Sequence, residues 1–136
     1  RKEKNDNKIP ASSSSSSSSD GGSFGFNVWC SGIWIASATG STAAVASAGG
    51  TNVPKDSTDL QYVVREHLVG ENDDRHFVSN LAHGIVDKDH LLQIRWNSQY
   101  GCVFIDGPHN RFDIELGDNV IVSSNASPLR IFSHAR

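Results

Sequence analysis

The chain of 136 residues is short of several things, and each shortage removes a class of function. It has no basic excess: 12 Lys and Arg stand against 15 Asp and Glu, a net charge of −3. After position 50 its cations are scattered among acids rather than gathered into a stripe with aromatics, so nucleic acid is not an expected partner. No apolar run approaches the roughly twenty residues of a membrane-spanning helix, and no membrane contact is expected. The charged start, residues 1–8, has no apolar stretch behind it of the kind a secretory signal needs. Only two cysteines occur, Cys30 and Cys102, without C-x-x-C spacing, and they read as reduced thiols. His76, His83 and His90 are evenly spaced, but a seven-residue interval aligns side chains only along a continuous helix. Asn80 and Gly84 argue against one, and no H-E-x-x-H or Cys/His zinc pattern exists, so the expected metal site is none. The expectation is a soluble, cytoplasmic protein. A peroxisome or another organelle is the alternative, because Ser133-His134-Ala135-Arg136 departs from Ser-Lys-Leu.

The first 26 residues also lack apolar surface. Residues 1–8 are polar and charged, and Ser12 to Ser19 is an unbroken serine run followed by Asp20-Gly21-Gly22-Ser23. Such a segment cannot offset its ordering entropy by burial, so 1–26 is expected to be a disordered tail, with a phosphorylated regulatory tail as the alternative. Residues 27–136 then form one domain. The first residue is Arg rather than Met, which reads as part of a longer product.

What is present is concentrated in residues 31–50. An apolar strand around Ile33-Trp34-Ile35 leads into a turn of small, hydroxylated residues, Thr39-Gly40-Ser41-Thr42, and then into a short helix over 42–48. Ser41 or Thr42 is the expected cap, the alanines favour the helix, and Gly49 suits its stop. Unpaired N–H groups at such a junction favour anionic or nucleotide ligands. Tight packing alone also explains a strand–turn–helix of small residues.

The remainder reads as short strands at 60–64, 91–96, 102–106, 112–116, 120–122 and 129–132. The loop 97–101 is expected to join two of them as a hairpin, with turns at 107–110 and 117–118. The expected fold class is mostly β, an antiparallel sandwich-like domain with one short helix.

These residues also resemble a known family. Thr39-Gly40-Ser41-Thr42-Ala43 followed by Ser47-Ala48-Gly49-Gly50 is similar to the signature of the NAD kinases. In order behind it come Asp59-Leu60-Gln61-Tyr62-Val63-Val64-Arg65-Glu66, His83-Gly84, Arg95-Trp96, Ile105-Asp106-Gly107, Leu116-Gly117-Asp118 and Ile121-Val122-Ser123-Ser124. That series resembles the plant NADH kinase branch and covers roughly residues 31–132. The resemblance implies the mostly β C-terminal, dinucleotide-holding domain of that fold. The family's Gly-Gly-Asp-Gly motif, which holds ATP phosphates and supplies the catalytic aspartate, is not in this sequence. The expectation is therefore a fragment of an NAD(H) kinase with no catalytic residue of its own.

For the site, the resemblance implies that Thr39, Gly40, Ser41, Thr42, Ala43, Ala44 and Ser47 contact the nicotinamide-ribose half of the dinucleotide. Thr42 and Ser47 would give hydroxyl hydrogen bonds and Ala43 its backbone groups; Thr42 as a simple helix cap is the other reading. Many NAD kinases carry Tyr where this chain has Ala44, and Asp-Gly where it has Ser31-Gly32. Tyr62, Arg65 and Asp106 are secondary candidates, Asp106-Gly107 reading also as a plain turn. NADH or NAD is the implied substrate with ATP and Mg²⁺, and the implied assembly is a homodimer. The alternative is a non-catalytic β domain for dinucleotide binding or dimerisation.

Overall fold

The computed structural model describes residues 23–70 and 79–127. The serine tract, His76 and the strand expected at 129–132 lie outside the described residues.

Seven strands run β1 (Gly32–Ala36), β2 (Leu60–Arg65), β3 (His83–Val86), β4 (Leu92–Arg95), β5 (Tyr100–Phe104), β6 (Arg111–Glu115) and β7 (Asn119–Val122). Among the described residues every pairing is antiparallel, so the mostly β expectation is met. β-Branched and aromatic residues fill the first two strands, as a pleated, half-buried surface favours.

The first three strands form one sheet in the order β1-β2-β3. Its register aligns Trp34 with Val63 and Val63 with His83, so these three share one face with Ala36, Gln61, Arg65 and Ile85. Ile33, Ile35, Leu60, Tyr62, Val64 and Gly84 take the other. The central strand is covered on both sides: Leu60, Val63 and Val64 are buried together with Ala38, Val45 and Val53. Phe26 approaches Tyr62 with ring centroids 6.5 Å apart, and Trp29 accepts a hydrogen bond from the Leu68 amide, which ties the segment before β1 to the end of β2. The β3 strand was not foreseen in the sequence. It is four residues long with an exposed–intermediate alternation, too short to stand out beside Gly84.

The other four strands make two ribbons, β4-β7 and β5-β6. This corrects the hairpin expected at 97–101: β4 does not pair with β5. Instead the chain runs up β4 and β5 and back down β6 and β7, one long hairpin interrupted in its middle. Four residues (96–99) on the outgoing arm face three (116–118) on the return, and this one-residue excess breaks the ladder as a bulge does. Trp96 holds the break, its N–H donating to the Asp118 carbonyl at 2.8 Å and its carbonyl accepting from Gly117 at 2.9 Å. Its ring lies on Gly101, where any β-carbon would collide with the indole. Across this bend the ribbons face an open apolar trough of about 330 Å³, lined by Val103, Ile105, Phe112 and Ile114 from one and Val120 and Ile121 from the other.

Candidate functional site

The junction after β1 is built in three steps. A 3-10 helix (Ala38–Thr42) leaves the strand, Ala43 breaks it with φ −102° and ψ −124°, and a single α turn, α1 (Ala44–Ser47), follows. The helix expected over 42–48 is thus shorter, and its cap is Ala43, not Ser41 or Thr42. No side chain caps it, because Ser41 points inward: its hydroxyl donates to the Ala38 carbonyl at 2.7 Å and accepts from the Val53 amide at 3.1 Å. One turn of helix sums few peptide dipoles, so a macrodipole is not what this junction offers a ligand.

The stop is as expected. Gly49 takes φ +92°, the Gly50 amide returns to the Val45 carbonyl at 2.9 Å, and the Gly49 amide to Ala46 at 3.1 Å. This is the Schellman arrangement, which requires a residue tolerant of positive φ. Gly50 is constrained differently: a β-carbon there would sit 2.6 Å from Gln61 Oε1 and 2.8 Å from the Val45 carbonyl oxygen.

The turn therefore has a buried floor and an exposed rim. Ser41 and Val45 are buried; Thr39, Thr42, Ala43, Ala44 and Ser47 are exposed, and Gly40 is half-buried. Among the described residues the hydroxyls of Thr39 and Thr42 have no hydrogen-bond partner, whereas Ser47 makes a long 3.5 Å contact to the Ala43 carbonyl. Gly40 lets the 3-10 helix settle on β1, since its β-carbon position is 3.1 Å from the Ala36 methyl.

The secondary candidates are dispersed. Arg65 shares the sheet face of the turn and stacks its guanidinium 4.8 Å above the Trp34 ring, with Glu66 3.5 Å away. Tyr62 lies on the opposite face, against Phe26 and over Gly84, where burial pushes its phenol above the ordinary value of 10.0. Asp106 adopts φ 51° beside Gly107 at φ +119°, at the tip of the β5-β6 ribbon, which is the geometry of the turn reading. Gln61 is the residue that sequence reasoning passed over. It is 1% exposed, and its Nε2 donates to the Thr51 carbonyl at 3.0 Å while Oε1 has no partner among the described residues. The available signal was its parity: 61 and 63 fall on one face, so a buried Val63 implies an inward Gln61.

A mostly β domain with a rigid strand–turn–helix junction and an exposed hydroxyl rim is the class that fold and site define. Over 115 residues the chain is 37% identical to the NADH kinase of Arabidopsis thaliana, covering 83% of this chain and 35% of that protein. It is 36% identical over 105 residues to the probable NADH kinase of Oryza sativa subsp. japonica, covering 77% of this chain and 31% of the relative. The chain thus spans about a third of the length of the curated relatives it matches. No family model and no solved structure matches it. These similarities relate the chain to the NAD kinase family and, within it, to the plant NADH kinase branch.

Proposed function

We propose that this chain is the dinucleotide-binding part of an NADH or NAD kinase, a phosphotransferase that makes NADPH or NADP. The observation that carries the reading is the 36–37% identity to two plant NADH kinases over about four-fifths of the chain. In that reaction the ribose 2′-hydroxyl oxygen forms a bond to the ATP γ-phosphorus. The bond to the bridging oxygen breaks, ADP leaves, and a base takes the hydroxyl proton. Such catalysis is mainly positioning, and on this reading the part supplied here is the holding of the dinucleotide.

The rim fits that task. Thr42 and Thr39 offer free hydroxyls and Ser47 a weakly engaged one, while Ala43 and Ala44 leave room for a flat ring. Ser41 serves differently, its hydroxyl being spent on Ala38 and Val53 so that its neighbours are fixed. Arg65, on the same sheet face, is the more suitable secondary contact; Tyr62 faces away. Mg²⁺ is the cation that such a phosphoryl transfer uses. The cation belongs with the phosphates of ATP.

The test is a calorimetric titration of the chain with NADH and NAD beside an ATP-dependent NADPH assay. Binding without turnover supports the reading; turnover overturns the assignment of catalysis to another part. A folded chain that does neither supports the second reading, a β domain for association. The ribbons leave Phe112 56% and Ile121 63% accessible, an apolar surface that a homodimer would cover.

A further inference from the structure

We propose that Gln61 is a positioning residue. From the strand beneath the turn, its buried carboxamide holds the 49–51 return loop, and through that loop the 3-10 and α1 turns that present Thr42, Ala43 and Ser47. The inference rests on the dinucleotide reading of this turn.

Packing alone does not account for a glutamine here. Among the described residues Gln61 is the largest side chain wholly removed from water, and its Oε1 is left without a partner there. An orphaned buried acceptor is destabilising, and an apolar side chain of the same length would fill the space beside Val45 without that penalty. What glutamine adds is a donor: Nε2 reaches the Thr51 carbonyl at 3.0 Å. The loop is then tied at a second point, where the Val53 amide meets the Ser41 hydroxyl at 3.1 Å, and Ser41 is itself bound to Ala38. Between the ties and α1 stands the Schellman turn, whose Gly50 amide is fixed to Val45. Gly50 has no room for a β-carbon against Gln61, so loop and amide are in direct contact. β2 thus transmits its rigidity through Gln61 and Thr51 to the one-turn helix, which is too short to be stable unaided.

The discriminating variant is Gln61→Met, equal in length and lacking the amide. Thr51 is exposed, so its freed carbonyl can turn to water, and the orphaned acceptor is gone. The expected result is a melting temperature no lower than the parent's, with amide exchange at Gly50 and Val53 faster by about tenfold and the β1-β2 amides unchanged. NADH affinity is expected to weaken about tenfold, because a displaced contact surface costs binding. A purely structural role would lower melting temperature and affinity together, and that outcome overturns the proposal. So does a parent that binds NADH with a variant matching it in affinity and exchange. If the parent binds no NADH, the dinucleotide reading fails, and exchange at Gly50 and Val53 still decides the tie: faster exchange upholds it, unchanged exchange removes it.

Discussion

The two halves of the described chain are written in similar language and end differently. Strands β1 and β2 and strands β4 to β7 are all short, carry apolar residues and are bounded by turn residues. Yet every buried apolar side chain, from Ala38 to Val64, belongs to the first half. The ribbons hold Tyr100, Phe104, Phe112, Leu116 and Ile121, each more than half exposed. The difference lies in what covers a strand. β2 has a neighbour on each side and elements over both faces, whereas each ribbon has two strands and an open trough. A two-stranded ribbon alone is marginal in water, so the stability of the chain resides in the sheet and its turn.

The largest expected effect follows directly. Val63, 3% exposed at the centre of the sheet, should cost about 2–3 kcal/mol as Val63→Ala, from lost burial plus a residual cavity. The matching ribbon change, Ile121→Ala at 63% exposed, should fall within about 0.5 kcal/mol. Urea unfolding of the two variants measures the contrast directly, and equal losses would show that the ribbons are packed in solution. Next in size is Gly50→Ala. Its methyl would press on Val45 and Gln61, and the Val45 carbonyl is backbone and cannot swing aside. A loss of about 1–3 kcal/mol is expected. Gly107→Ala, with nothing within 4 Å of its β-carbon, meets only the strain of φ +119° and should cost less. Thermal melts of the pair check that order.

How much of this was legible depended on range. Strand positions within a few residues were readable because apolar runs and turn residues are local signals: Leu60–Arg65 against 60–64, Asn119–Val122 against 120–122. Gly49 was legible as a stop because positive φ favours glycine locally. Partnership was not. The 97–101 loop looks like a hairpin from its own residues, and only the distant return strand shows that β4 belongs to β7. The helix was overread for the same reason: alanine propensity favours 42–48, but Ser41 is drawn inward by Val53, twelve residues away, and the first turns close as a 3-10 helix. At the candidate site, Thr39 and Thr42 are exposed on the rim. The burial of Ser41 and Gln61 beneath it was legible only through strand parity and the loop that closes over it.

A smaller effect separates the two sheet faces by pH. Burial raises the Tyr62 phenol above its ordinary 10.0, so the folded state keeps the proton longer than the unfolded chain does. The stabilisation is complete below the unfolded value and is lost as pH rises through the folded one. Melting temperature should therefore fall above about pH 10, and Tyr62→Phe should flatten part of that slope while leaving neutral-pH behaviour at the turn face unaltered. An unchanged alkaline slope in the variant would mean that the phenol is solvated and that this face of the sheet is as open as the ribbons.

The smallest expected effect lies in the ribbon itself, where the shortest ion pair of the described residues stands. Arg111 reaches Asp113 at 2.7 Å, with side chains 57% and 75% exposed. The two sit two residues apart on one face of β6, so the contact closes no loop and links no second element. In water the Coulomb gain is screened and is offset by the entropy of holding the arginine, and exposed pairs of this kind contribute about 0–1 kcal/mol. Arg111→Ala and Asp113→Ala should each shift urea unfolding by less than about 0.5 kcal/mol, with little additional coupling in the double variant and less still as salt is raised. A coupling above about 1 kcal/mol would be too large for an exposed pair. It would mean that the ribbon face carrying Arg111 is shielded in solution, and that the exposed half of this comparison has a partner after all.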